Sequence, residues 1–434
     1  ARDDQPFDLN AAPEKLHEPD EDGRLGPSTG AIVQAATARG IPYRRLTEGS
    51  LVQFGWGSKQ RRIQAAEMDS TSSVGESIAQ DKELTKRLLD AAGVPVPKGR
   101  PVRDAEDAWA AACELGGPVV VKPRDGNQGK GVAANIESKE QIIAAYAAAH
   151  EISDEVMVEQ YLPGNDFRLL VIGNRLIAAA RREPPHVIGD GESTVRALVE
   201  QVNSDPRRSE GHANVLTKIR LDEIALATLA KQGLDADSVP HLGARVILRN
   251  NANLSTGGTA TDVTDDVHPQ IAECAIAAAK TVGLDLCGVD VVCENVLEPL
   301  RNRAGGVIEV NAAPGLRMHL QPSFGKGRPV GEAIVSSLFP EHDNGRIPVV
   351  AVAGTNGKTT TVRLIAHLLG QIGKRVGMTN SDGVYIAGKR IDTGDCSGTR
   401  SPRNVLDHPD VDAAQLEIVR SRSSPTSGWA TTSA

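Results

Sequence analysis

The sequence predicts a multidomain protein of α/β and α+β class, and three observations carry that expectation. Its 434 residues are enough for two or three domains, and 40% apolar with 24% charged residues is an ordinary globular composition. Helical patterns alternate with short aliphatic runs along most of the chain. Near the C-terminal end, "VVAVAGTNGKTTTVRLIAHLLG" joins an aliphatic strand to a glycine turn, Lys358 and an amphipathic helix, the order of an α/β phosphate loop.

The elements can be justified in chain order. Residues 1–24 carry Pro6, Pro13 and Pro19 with eight acids against three bases, too little apolar surface for a core, and read as an acidic tail or linker left from an N-terminal domain. From Leu25, "GPSTGAIVQAATARGIPYRRL" predicts a capped helix and a returning strand. "SIAQDKELTKRLLDAAGVPVPKG" has Ile78, Leu84, Leu88 and Leu89 at helical spacing and predicts one helix ended by Gly93 and Pro95. A strand "GPVVVKP" reaches Lys122, the glycine loop "RDGNQGKG" follows, and "EVMVEQYL" is a second strand before Pro163 and Gly164. In "DFRLLVIGNRLIAAARRE" two strands meet at Gly173 and Asn174, a tight antiparallel hairpin. Gly189 to Arg220 is polar and basic, and predicts an excursion carrying one helix rather than core. A helix from Gln270 to Val282 leads into "LCGVDVVCEN", which is expected to pair with "GGVIEVNAAPG". The stretch around "HDNGRIP" reads as a linker to a further unit, drawn over residues 341–346.

Composition excludes several classes. A net charge of -8 and 3% aromatic residues argue against nucleic acid as the main partner, since neither a basic footprint nor stacking rings are in supply. No run approaches the ~18 apolar residues of a membrane span, so no membrane partner is expected. Five cysteines without a CxxC pair suit a reducing cytoplasm and packing roles.

Chemistry concentrates in three places. Glu309 and Asn311, two apart on a strand, share a face, and Asp290 comes within reach if its strand is the neighbour. Two carboxylates and an amide form an oxygen cluster suited to Mg²⁺ beside nucleotide phosphates. Lys122 stands before a loop with Gly126, Gly129 and Gly131, whose small residues let backbone N–H groups close on phosphate. Farther on, the backbone around Glu159, Gln160 and Leu162 can read an adenine edge while Asp166 accepts from ribose hydroxyls. Taken singly, these features also fit a surface turn or a wet sheet face; their order separates the readings.

That order resembles the ATP-grasp superfamily over Leu25 to Leu338: helix with Lys82, strand with Lys122, glycine lid, hinge, hairpin, Asp290, then Glu309 and Asn311. "LVQFGWGSKQRRIQA", "DKELTKRLLDAAGVPVPKG", "KPRDGNQGKGV", "NSDPRRSEGHANVLTKI" and "RNNANLSTGGTATDVTD" are similar to the cyanophycin synthetase family, which polymerises aspartate and arginine without a ribosome. Ser209 departs from the family's glycine in that loop. The resemblance implies an ATP-grasp fold over residues 25–340, two α+β lobes around ATP. Lys82, Lys122 and the glycine loop would hold its phosphates, and Asp290, Glu309 and Asn311 its Mg²⁺. It further implies that a growing C-terminal carboxylate becomes an acyl phosphate attacked by the amine of aspartate. Arg249, Ser255, Gly257, Gly258 and Arg317 are the candidates to receive these two anions, with Arg168, Arg181 and His212 behind them.

"AGTNGKTT" lacks the first glycine of the strict phosphate-loop spacing, at Val352, but resembles the loop of Mur ligases. By that resemblance Gly354, Gly357, Lys358 and Thr359 bind a second nucleotide, Thr359 and Glu417 hold a metal, and residues 347–419 begin an arginine-adding domain. The likeness stops after Glu417, and residues 420–434 are an aberrant Ser/Thr-rich tail, so an incomplete second domain without arginine addition is expected. The expected partners are aspartate and a cyanophycin primer, arginine in the intact family, and further copies of the chain in a homo-oligomer. Two other readings stand beside this one: a polymerase of β-aspartyl-arginine dipeptide, and a non-catalytic remnant that binds nucleotide or primer.

Overall fold

A computed structural model describes residues 25–124, 131–209, 216–300, 305–396 and 401–418. The segment 1–24, Gly126, Gly129, His212 and the tail 420–434 lie outside the described residues. The described chain forms two compact units. One comprises the described residues of Ala1–Gln34, Glu48–Ser50 and Ile63–Ser337, the other those of Ala35–Thr47, Leu51–Arg62 and Leu338–Ala434.

The larger unit holds two principal antiparallel sheets. One is four-stranded, in the order Gly99–Val102, Val156–Gln160, Val119–Pro123, Ala133–Ile136. Val119 and Val121 point into a core with Val102, Ala108, Ile142, Val156 and Val158. Strand alternation therefore turns Lys122 to the other face. Two helices cover the core side, Ala105–Leu115 capped by Asp104, and Lys139–His150 capped by a reciprocal Ser138–Gln141 box.

The second sheet runs Thr259–Asp262, Arg175–Glu183, Asn165–Ile172, Leu286–Cys293, Gly305–Asn311. The hairpin expected at Gly173 and Asn174 forms, as does the pairing of the last two strands. Helix Pro269–Val282 presents Ile271, Ala275, Ala278, Ala279 and Val282 to Leu169, Val171, Cys287, Val289 and Val291, the larger core of this unit. Odd-numbered strand residues are spent on that core. Their neighbours Arg168 and Asp290, register partners on adjacent strands, thus fall on the opposite face.

Two expectations need correction. The single helix drawn through "SIAQDKELTKRLL" is two, Ser73–Gln80 and Lys82–Ala91. Asp81 leaves helical geometry with ψ 96° and caps the second helix by accepting from Leu84 N at 3.0 Å, a local bond that outcompetes the continuous apolar period. Lys82 is thereby placed in a first helical turn. The segment from Gly189 to Arg220 is likewise no coreless excursion. Val195, Leu198, Val199 and Ile219 bury with Val187, Leu229, Val246 and Leu248 in a separate cluster. Its apolar positions are scattered over two helices and several short strands, so no single window of sequence shows them.

The smaller unit contains a five-stranded sheet, Val349–Ala353, Ala413–Ile418, Val376–Asn380, Gly383–Ile386, Lys389–Thr393, with the first three strands parallel. Its strand–loop–helix at Val349–Ala353 and Lys358–Gln371 has the order read from the sequence.

On the face of the larger sheet away from its helix lies a buried charge network. Arg168 donates through Nε and Nη2 to the two oxygens of Asp290, and Arg182 Nη2 bridges Asp290 at 3.0 Å and Asp166 at 2.6 Å. Burial pushes the Asp290 carboxyl up, but Arg168 and Arg182 outweigh it and hold the group below the usual carboxylate range. Asp290→Asn should therefore cost roughly 3–5 kcal/mol of unfolding free energy in urea titrations. Because the folded value is depressed, this contribution is present above the ordinary carboxyl value and is lost as pH falls through the folded one. The gap between wild type and variant should accordingly shrink only at strongly acid pH. A second test concerns Gly164, at φ +124°, where an added Cβ would stand 2.2 Å from the backbone carbon of Cys293. Gly164→Ala should melt well below Gly233→Ala, whose site at φ +72° is open and costs only the left-handed penalty of about 1–2 kcal/mol.

Candidate active site

A cleft of about 920 Å³ in the larger unit is lined by the two helices that meet at Asp81, by the end of strand Gly305–Asn311, and by Arg124 and Glu155, which flank strands Val119–Pro123 and Val156–Gln160; Lys82, Glu309 and Asn311 are among its residues. Glu309 is the register partner of Asp290, so the sheet brings the two carboxylates onto neighbouring strands as the sequence anticipated. Lys82 Nζ lies 3.6 Å from Glu309 Oε1, and Asn311 Nδ2 donates to Asp290 Oδ2 at 3.3 Å. Gly288 has no side chain because Arg168 lies across it; a Cβ there would stand 2.7 Å from Arg168 Cδ.

The donor set can be weighed against a cation. Both oxygens of Asp290 are engaged by guanidinium groups, which leaves the half-buried Glu309 and the Asn311 amide facing the cleft. Among the described residues, no three His, Cys, Asp or Glu side chains converge on one point. Hard oxygen donors, few in number and open to solvent, fit Mg²⁺ completed by phosphate and water.

A second cleft of about 470 Å³ is lined by Ser28, Arg168, Arg182, Asn253, Ser255 and Arg317. Ser255 and Arg317 therefore come together, beside the two arginines that clamp Asp290. Burial lowers the Arg317 pKa, though the group stays cationic. Arg249 is not among the residues lining either cleft; it is turned to Asp222. Gly257 at φ +99° accepts from Arg208 Nη1 at 3.2 Å, and Gly258 packs so that a Cβ would meet Glu183 O at 2.8 Å, so both glycines serve close backbone packing. His319 is buried with neither ring nitrogen hydrogen-bonded; burial, then Arg168, lowers it to about 3 and keeps it neutral.

The hinge strand holds a further surprise. The side chain of Glu159 accepts from Lys86 at 2.6 Å through one oxygen and from Lys122 at 2.6 Å through the other. Gln160 and Leu162 follow at the strand end, and Asp166 is held by Arg182 rather than standing alone. Gly131, at φ +66°, packs against Ile152, where an added Cβ would stand 2.6 Å from Cδ1. Lys86 and Arg182 escaped the sequence reading. Lys86 lies one turn after Lys82, so the i, i+4 rule was a usable signal; choosing Arg182 over Arg181 needed the strand register.

In the smaller unit, Thr359 Oγ1 donates to Glu417 Oε2 at 2.9 Å, and Ser381 N to the same oxygen at 3.4 Å. Glu417 is buried and is the register partner of Val352, on the strand that feeds the loop. Gly357 at φ +76° turns the chain into the helix, whose first residue is Lys358, and Gly354 opens the loop.

Family models agree with this geometry. An ATP-grasp domain matches residues 75–168 and a RimK-like ATP-grasp domain residues 245–323. The chain is 47% identical to a cyanophycin synthetase from Nostoc over 92% of its own length, and 45% identical to one from Synechocystis over 94%. It spans 44% and 47% of these two proteins, about half the length of the curated relatives it matches. Among solved structures, a bifunctional glutathione synthetase from Pasteurella multocida aligns with a TM-score of 0.59 at 32% identity, covering 74% of this chain and 44% of that one. The chain belongs to the ATP-grasp superfamily and, within it, to the family of the cyanophycin synthetases.

Proposed function

We propose that the chain is an ADP-forming carboxylate–amine ligase that extends an aspartate polymer from its C-terminal carboxylate. One observation carries this reading: Glu309 and Asn311 face a nucleotide-sized cleft beside Lys82, while the strand next to them carries Asp290, clamped by arginines that line an adjoining cleft.

In the first step a carboxylate oxygen of the polymer bonds to the terminal phosphorus of ATP and the bond to ADP breaks. In the second the α-amine of aspartate attacks the acyl carbon, losing one proton, and phosphate leaves. Lys82 and Lys122 hold the phosphates, and Arg168, Arg182 and Arg317 hold carboxylates and oppose charge that builds on the transferring group. Mg²⁺ held by Glu309 and Asn311, with Asp290 behind them, would supply further neutralisation. Ser255 and Ser28 offer hydroxyl groups in the same cleft to orient the acceptor. In the smaller unit, Gly354, Gly357 and Lys358 at a helix start, with Thr359 and Glu417, support a second phosphate and metal site; by family likeness its amine would be arginine.

ADP release is the direct assay, run with primer and aspartate, and separately with primer and β-aspartyl-arginine dipeptide. ADP formed with aspartate is expected; ADP formed only with dipeptide moves the assignment to dipeptide polymerisation, and none in either arm leaves a binding protein. Glu309 is a better probe than Asp290, since it is half exposed and its loss strands no buried arginine. Glu309→Gln should lower turnover roughly a hundredfold with an unchanged melting curve. Arg317→Met should instead raise the KM for primer or aspartate about tenfold with a smaller change in kcat.

A further inference from the structure

The lysine on the second turn of helix Lys82–Ala91 is the least expected charge in the larger unit. Lys86 is nearly buried, its side chain 11% exposed, and its ammonium ends on Glu159, itself 6% exposed. Lysine is seldom placed so deep without cause, because burial removes its hydration. Glu159 already has a partner in Lys122, at the same 2.6 Å. One carboxylate is thus shared by two ammonium groups, and the trio carries one net positive charge.

We propose that Lys86 is a positioning residue for nucleotide binding: by occupying one oxygen of Glu159 it keeps Lys122 from being neutralised, so that Lys122 still attracts a phosphate. The inference rests on the reading of Lys122 as a phosphate ligand. With Lys86 absent, Glu159 and Lys122 would form an ordinary neutral pair, and the attraction for an anion at that strand end would disappear. With Lys86 present, the carboxylate orients both cations and an excess of one charge remains.

The surroundings make this charge conditional. Burial lowers the Lys86 pKa to about 8, against the raising influence of Glu159, and Lys122 lowers it further. Strand Val156–Gln160 presents Glu159 to it and strand Val119–Pro123 presents Lys122; Glu309, on strand Gly305–Asn311, is turned to Lys82 instead. Helices Ser73–Gln80 and Pro269–Val282 also pack on the lysine's helix, and none of their charged side chains pairs with Lys86. As pH rises, Lys86 loses its proton, the trio becomes neutral, and phosphate affinity falls. Conversely, an arriving phosphate raises the lysine's affinity for its proton, so binding takes up a proton in mildly alkaline solution.

The test is calorimetric titration of the full chain, carrying Lys358→Met in every sample to silence the second phosphate site, with MgATP from about pH 7.5 to about pH 9.5, where ATP itself is fully ionised, in buffers of different ionisation enthalpy. Wild type should bind with proton uptake, and its affinity should fall roughly tenfold across that range. Lys86→Met, which leaves the Glu159–Lys122 pair intact, should bind roughly tenfold more weakly at the lower pH and show neither the uptake nor the slope. Lys86→Arg, which keeps a charge that does not titrate, should restore affinity and hold it flat. Wild-type affinity, slope and proton uptake in Lys86→Met would overturn the inference alone. If wild type fails to bind MgATP, or Lys122→Met binds as well as wild type, the phosphate-site reading falls and this inference falls with it.

Discussion

The larger unit depends on a carboxylate that cannot be left unpaired. Asp290 stands in the middle of a sheet, between Val289 and Val291, with 7% of its surface exposed. Burying such a charge costs several kcal/mol unless oppositely charged groups meet it in good geometry. Arg168 and Arg182 meet it from the two preceding strands of the same sheet, and Asp166 balances the second arginine. A one-residue slip of any of these strands would turn its charged partner into the aliphatic core, so the network also fixes register. Glu309 is then set beside Asp290, with Asn311 two residues on.

The four-stranded sheet repeats the device with a net positive charge. Around Asp290 two carboxylates and two guanidiniums cancel, whereas around Glu159 one carboxylate faces two ammonium groups. A polyanion brought to the unit meets a balanced network on one sheet and a cationic one on the other. The arginines that balance Asp290 also line the smaller cleft with Arg317 and Ser255, so residues that hold the fold are those best placed to receive a carboxylate.

The smaller unit uses a different principle. There the candidate phosphate site is a helix start, and a carboxylate, Glu417, arrives on the strand beside the one that feeds the loop. Parallel pairing makes this inexpensive: Val352 and Glu417 are register partners, so the end of one strand lies beside the carboxylate of the next. Each unit therefore places a carboxylate next to a candidate phosphate site by strand pairing rather than by a loop.

Much of this was legible in the chain. Strand alternation put Glu309 and Asn311 on one face, the turn residues Gly173 and Asn174 marked the hairpin, and the glycine turn before Lys358 marked the passage from strand to helix, because each depends on neighbours in sequence. The break at Asp81 was also local, yet a cap and a helix interior use the same residue type, and the apolar period concealed it. What tertiary structure alone decided was which charges meet. Lys86 and Lys122 converge on Glu159 from two different elements, and Arg182 rather than Arg181 reaches Asp290. Sequence spacing sets the face on which a side chain emerges, but long-range packing sets what lies opposite it, and the energy of a buried charge resides in that second fact.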